Sequence, residues 1–271
     1  MKRIMLAVTP LLTAVTALGL MSSRPVDPAT GPEPAPPVAG PPARVPVVVE
    51  LFTSEGCSSC PSADAALREL EMAQSVPGVE VIALGQHVDY WNRLGWKDPF
   101  SSPQFTERQR WYAESFREGN YTPQAVVNGR YEFVGSQRQT LARAVTQAAQ
   151  APRATVTLAR GADGNLNVQV SNLPAGTKAT TVQLALTEAG LSSKVGRGEN
   201  SGRLLQHAGV VRALRPLGAV AADGTFAASV PLTLGAGWKL ANIKAVVLVQ
   251  ETASRHIVGV ASLPLGGPVP N

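Results

Sequence analysis

The chain has two cysteines, Cys57 and Cys60, separated by Ser58 and Ser59 and set between an apolar run and a helical pattern. The run Val47-Val48-Val49-Glu50-Leu51-Phe52 reads as a buried strand, and Pro61 suits the first turn of a helix. A helix start leaves backbone N–H groups unpaired and carries partial positive charge, which stabilises a thiolate. The thiolate is the nucleophile of disulfide exchange. A bridge over so short a loop removes little chain entropy, so a purely structural role explains the spacing poorly. No second cysteine pair completes a zinc motif. The pair is therefore expected to be a redox site, with Cys57 attacking and Cys60, one turn into the helix, resolving.

Around this motif, residues 47–150 alternate strand and helix patterns. Ala63, Ala66, Leu67 and Leu70 recur at three and four residues and mark one helix face, and Asp64 and Arg68 form an i, i+4 pair on the same helix. Residues 79–84 read as a second strand, and this order favours a parallel pair with a helical crossover. A polar and aromatic segment, 86–119, follows and holds Trp91, Trp96 and Trp111. Asn128-Gly129 between two apolar runs signals a hairpin. Residues 139–150 read as a closing helix. Beyond Pro152 the pattern changes to short strands at fairly even spacing, with Gly and Asn turns, which suggests a β-sandwich over 151–263. Residues 264–271 read as a loose Gly/Pro-rich tail.

The N-terminus begins with Met1-Lys2-Arg3 and an apolar stretch through Met21, the pattern of a signal peptide or membrane anchor over 1–23. A Pro/Ala-rich linker occupies 24–46. The signal-like N-terminus implies a periplasmic or secreted protein, touching membrane only through the N-terminal segment. The excess of Lys and Arg over Asp and Glu is +5 across 271 residues and is not gathered into a block, which argues against nucleic-acid binding.

Thr122-Pro123 lies directly before the strand at 125–127. A proline there can be an edge residue, or a cis proline beside the cysteines whose neighbour pairs with an incoming peptide. Strand, Cys-x-x-Cys, helix, strand, Thr122-Pro123, hairpin and final helix together resemble the thioredoxin-like superfamily. More specifically, the stretches 51–61, His87-Val88-Asp89-Tyr90-Trp91 and Tyr121-Thr122-Pro123-Gln124 are similar to a family of secreted thioredoxin-like bacterial proteins, the domain of unknown function numbered 1223. Residues 198–203 and 207–212 resemble the C-terminal part of that family. The resemblance implies an α/β thioredoxin-like N-terminal domain followed by an all-β sandwich-like C-terminal domain.

The expected function is thiol–disulfide exchange with protein or peptide thiols and disulfides, served by a redox partner protein and needing no organic cofactor. Cys57, Cys60, Pro123 and His87 are the candidate catalytic residues, and Thr122, Trp91 and Tyr90 the candidate substrate-binding ones. Two alternatives stay open. Cys57, Cys60 and His87 could hold a soft ion such as Cu(I), making the chain a metallochaperone module. The disulfide could instead be static in a non-catalytic adaptor. His207 and His256 show no metal-ligand spacing, and Glu199 and Arg203 are spaced to pair.

Overall fold

Strand β1 (Val45–Thr53) alternates between two buried faces. Val47, Val49 and Leu51 join one apolar cluster, Val48 joins a second and Phe52 a third. A strand buried on both sides reads as a continuous apolar run, which is what its sequence shows. Helix α1 (Cys60–Ala73) follows, with Pro61 in its first turn and Ala63, Ala66, Leu67 and Leu70 buried against β1. Strand β2 (Val79–His87) returns parallel to β1, in register from Val45↔Val79 to Thr53↔His87. These identifications come from a computed structural model describing residues 44–266. The expected signal or anchor, most of the linker and most of the tail lie outside the described residues.

After β2 the chain makes a 3₁₀ turn (Asn92–Leu94) and helix α2 (Pro103–Phe116), whose first turn is capped by the Ser102 hydroxyl accepting from the Gln104 N–H. The Trp-bearing segment thus contains a full helix. Strands β3 (Gln124–Val127) and β4 (Tyr131–Val134) form a hairpin across Asn128 and Gly129, both at positive φ. Helix α3 (Arg138–Ala148) closes this half.

The second half supplies β5 (Thr155–Arg160), β6 (Leu166–Ser171), β7 (Thr180–Glu188), β8 (Ser192–Lys194), β9 (Leu204–Gln206), β10 (Val210–Ala219), β11 (Phe226–Val230), β12 (Ile243–Glu251) and β13 (Ile257–Pro264). These do not build a separate sandwich. Strands β7, β10, β12 and β13 continue the first half's sheet, giving eight strands in the order β13-β12-β7-β10-β2-β1-β3-β4. The expected pairing of a thioredoxin-like domain with an independent all-β domain is corrected accordingly: one mixed sheet runs through both halves, and the described residues fall in one compact unit.

The physical reason is a joint between two glycines. The Gly85 N–H of β2 donates to the Gly209 carbonyl at 2.7 Å, and Val210 pairs with Gly85 in parallel. A Cβ on Gly209 would stand 2.8 Å from the Ala83 carbonyl oxygen, so only glycine lets the backbones approach this closely. Side-chain periodicity reports which face a strand buries, not which strand takes its edge.

The three-stranded sheet β11-β6-β5 covers the far end, where Leu166, Val168 and Val170 pack on Leu184, Leu186, Ala245 and Val247. Each fully buried Leu or Val among them contributes roughly 1.5–3 kcal/mol through apolar burial. Beneath α2 lies a buried polar network. Arg108 donates to both Glu50 carboxylate oxygens, and Tyr112 and Gln86 also bond Glu50.

Candidate functional site

The loop 54–59 leaves the C-terminal end of β1 and feeds α1, so it sits where strand ends and a helix start meet. Cys57 and Cys60 are bonded to each other, with Cα atoms 5.4 Å apart. Cys60 opens α1, and Ser59 is its N-cap. The Ser59 hydroxyl lies 3.4 Å from the Cys57 sulfur. Ser58 and Ser59 face solvent, whereas Cys57 is 0 % and Cys60 1 % exposed.

What covers Cys57 comes from the second half of the chain. The turn at 198–202, between β8 and β9, places Asn200 over the cysteine loop. Its side-chain amide donates to the carbonyls of Glu55 and Cys57, each at 2.9 Å. Glu199 accepts from the Ser58 N–H at 2.9 Å, and the Ser58 side chain first, with that N–H second, holds its carboxyl below the ordinary range. Arg203 donates to the Asn200 side-chain oxygen Oδ1 rather than to Glu199. These residues form a clip over the disulfide.

On the other side of the loop, Trp91 stands next to Gly56, where a Cβ would lie 3.1 Å from the Trp91 Cβ. Its indole N–H donates to the Thr122 hydroxyl at 2.9 Å, and the Thr122–Pro123 bond is cis. A Cβ on Gly135 would meet Ala63 of α1 and Pro123 alike, so Pro123 lies beside α1. Tyr90 donates to Gln109 and tilts against Trp91. Burial raises the Tyr90 hydroxyl above its usual pKa. Thr122, Pro123, Trp91 and Tyr90 therefore gather along one edge of the cysteine loop.

His87 is wholly buried, and its Nδ1 lies 2.7 Å from Asp98. Its ring meets those of Phe100 and His207 edge to face, the His207 centroid at 4.8 Å. His207 arrives from the β9–β10 connection with its Nε2 3.0 Å from Glu55. Asp64 turns inward from α1, where Thr53 donates to its Oδ2 at 2.6 Å. Asp64 thus does not pair with Arg68, whose guanidinium bonds the Gln206 carbonyl instead. Burial opposes a charge on His207, but Asp64 and Glu55 outweigh it and hold the imidazole up to about 9.

Sequence reasoning did not find Glu55, Asp64, Asp98, Asn200 or His207 as members of one site. Their spacings are long, and what unites them is the arrival of β10 beside β2. The signal that was available is local: Gly209 follows His207 closely, and its backbone role brings the histidine in.

Residues 48–250 match the family described as a protein of unknown function, DUF1223. The chain belongs to the DUF1223 family. The matched span holds the cysteine loop, the clip that covers it, and all of Asp64, His87 and His207. It ends inside β12, so the family's shared region includes strands from both halves of the large sheet. A crystal structure of a protein from Agrobacterium tumefaciens is similar at 31 % identity and a TM-score of 0.64, covering 82 % of this chain and 94 % of that one. A domain of the outer membrane lipoprotein Omp28 from Porphyromonas gingivalis matches at 15 % identity and a TM-score of 0.22, over 42 % of this chain and 88 % of that one. No curated protein matches the chain.

Proposed function

We propose that this protein carries out thiol–disulfide exchange with protein or peptide thiols through Cys57 and Cys60, in the manner of thioredoxin-like proteins. The observation that carries the reading is the position of the disulfide at the start of α1, where unpaired N–H groups and the helix dipole favour a thiolate leaving group. A substrate thiolate attacks Cys57 Sγ, forming a mixed disulfide while Cys60 leaves as a thiolate. A second substrate thiolate then attacks the substrate sulfur of that mixed disulfide. The substrate dithiol becomes a disulfide, and the two cysteines take up two electrons. A disulfide-bearing partner reoxidises them, and the reverse direction needs a thiol-bearing partner.

Thr122, Pro123, Trp91 and Tyr90 are read as the surface that receives the substrate chain, supported by their grouping along one edge of the loop. The charged and then apolar N-terminus supports a periplasmic or secreted setting. The clip must open for a protein substrate to reach Cys57. That burial is the observation favouring the second reading, a static disulfide in an adaptor.

The test incubates the oxidised protein with a reduced dithiol peptide and follows thiol loss, alongside the variant Cys60→Ser. Exchange gives loss of peptide thiols with wild type and a trapped Cys57 mixed disulfide with the reduced variant and an oxidised peptide. A disulfide that stays intact in reduced glutathione, with no mixed disulfide in either sample, establishes the static reading.

A further inference from the structure

We propose that Asp64, His87 and His207 form a binding site for a divalent first-row metal ion of the zinc class. The site does not depend on the exchange reaction. Each of the three residues is buried, and each has one polar atom without a hydrogen-bond partner among the described residues: Asp64 Oδ1, His87 Nε2 and His207 Nδ1. Ligand atoms of the three lie within 4.8 Å of one another. Buried polar atoms without partners are rare, and three converging on one point are rarer still.

The hydrogen bonds on the far side of each group fix what the near side offers. His87 directs Nδ1 to Asp98, so its Nε2 presents a lone pair. His207 directs Nε2 to Glu55, so Nδ1 is the atom it turns toward the other two, and a metal ion binds there by displacing the Nδ1 proton. Asp64 has Oδ2 occupied by Thr53 and Oδ1 free. Three such atoms facing one another need a positive charge among them, either a proton or a metal ion. A proton on His207 Nδ1 is the small alternative, but it can serve only one of the other two atoms. Asp64 Oδ1 lies 3.6 Å from it, beyond a good hydrogen bond. Bonds of about 2.0–2.1 Å from a tetrahedral zinc ion place ligand atoms roughly 3.3 Å apart, close to that separation.

The surroundings have the form that metal sites use. Imidazoles that bind metal usually give their other N–H to a carboxylate, which sets the tautomer and strengthens the ligand. Both histidines do so, to Asp98 and Glu55. Those carboxylates are held in turn: Asp98 by the Glu55 and Phe100 N–H groups, Glu55 by the Trp96 indole. Two imidazoles and one carboxylate suit Zn²⁺, whose three-ligand sites leave a fourth position open.

The experiment adds Zn²⁺ to the oxidised, metal-stripped full chain and measures stoichiometry by elemental analysis after desalting, with Co²⁺ substitution read by visible absorption. The expected result is one ion per chain, a tetrahedral Co²⁺ spectrum without sulfur charge-transfer bands, and the same binding in Cys57→Ser/Cys60→Ser. Asp64→Asn and His207→Gln should each weaken binding at least tenfold, with folding checked by circular dichroism, while His256→Gln leaves it unchanged. Binding that is absent from the folded wild type, lost in the double cysteine variant, or unchanged in folded Asp64→Asn and His207→Gln overturns the proposal.

Discussion

Asn200 donates its side-chain amide to the Cys57 carbonyl at 2.9 Å, reaching across 143 residues of sequence. The same amide bonds the Glu55 carbonyl, so one side chain ties down both ends of the turn before the disulfide. Removing it in Asn200→Ala leaves two buried carbonyls without that donor, a loss of about 1–2 kcal/mol in holding the loop closed. The Cys57–Cys60 disulfide should then be reduced by dithiothreitol roughly tenfold faster. Thiol labelling during reduction measures this, and an unchanged rate would show that the clip does not control access.

Glu199 makes the clip sensitive to acid. Hydrogen bonding from Ser58, its side chain first and its N–H second, depresses the Glu199 carboxyl below its ordinary value of 4.5, so its hold is present above that pH and fades as pH falls through the lower, folded-state value. Reduction by a phosphine, compared between wild type and Glu199→Gln, should give a rate ratio that is constant at neutral pH and changes below about 4.5. A ratio that is flat across the acid range removes Glu199 from the clip.

Glu50 and Arg108 are both buried, and Arg108 donates to Glu50 Oε1 at 2.9 Å. Glu50→Ala leaves the guanidinium without its counter-charge, and the expected loss of stability in urea unfolding is about 3–5 kcal/mol. Replacing both residues by Leu and Met should cost much less, because no charge is then stranded. Equal losses in the two variants would contradict this account.

Gly209 has no space for a side chain. Gly209→Ala forces a methyl against the Ala83 carbonyl and should lower stability by about 1–3 kcal/mol, while Gly237→Ala, with open space around it, perturbs only its local turn. Hydrogen exchange should report weakened protection at the β2–β10 joint in the first variant.

Much of the first half is legible in the sequence because its cues are local. The run 47–52, the 3–4 spacing in α1 and the Asn128-Gly129 turn each specify their element within a dozen residues. The strands of the second half are legible for the same reason, through alternation such as Leu166, Val168 and Val170. Their assembly is not, because it rests on a backbone contact between Gly85 and Gly209 that leaves no side-chain pattern. Asp64 shows the same limit within the site. Its spacing to Arg68 suggests a pair along the helix, whereas it turns inward to Thr53 of β1 and to His207, which arrives from the second half.

The order in which the clip and the cysteines are made has its own consequence. During synthesis the cysteines emerge first, and Asn200 follows 143 residues later. At ~5–20 residues per second that interval lasts roughly 7–30 seconds. The thiol pair therefore stands uncovered on the nascent chain, and the lock is fitted only afterwards. A reagent that meets the chain in that interval reaches both cysteines without having to open the clip.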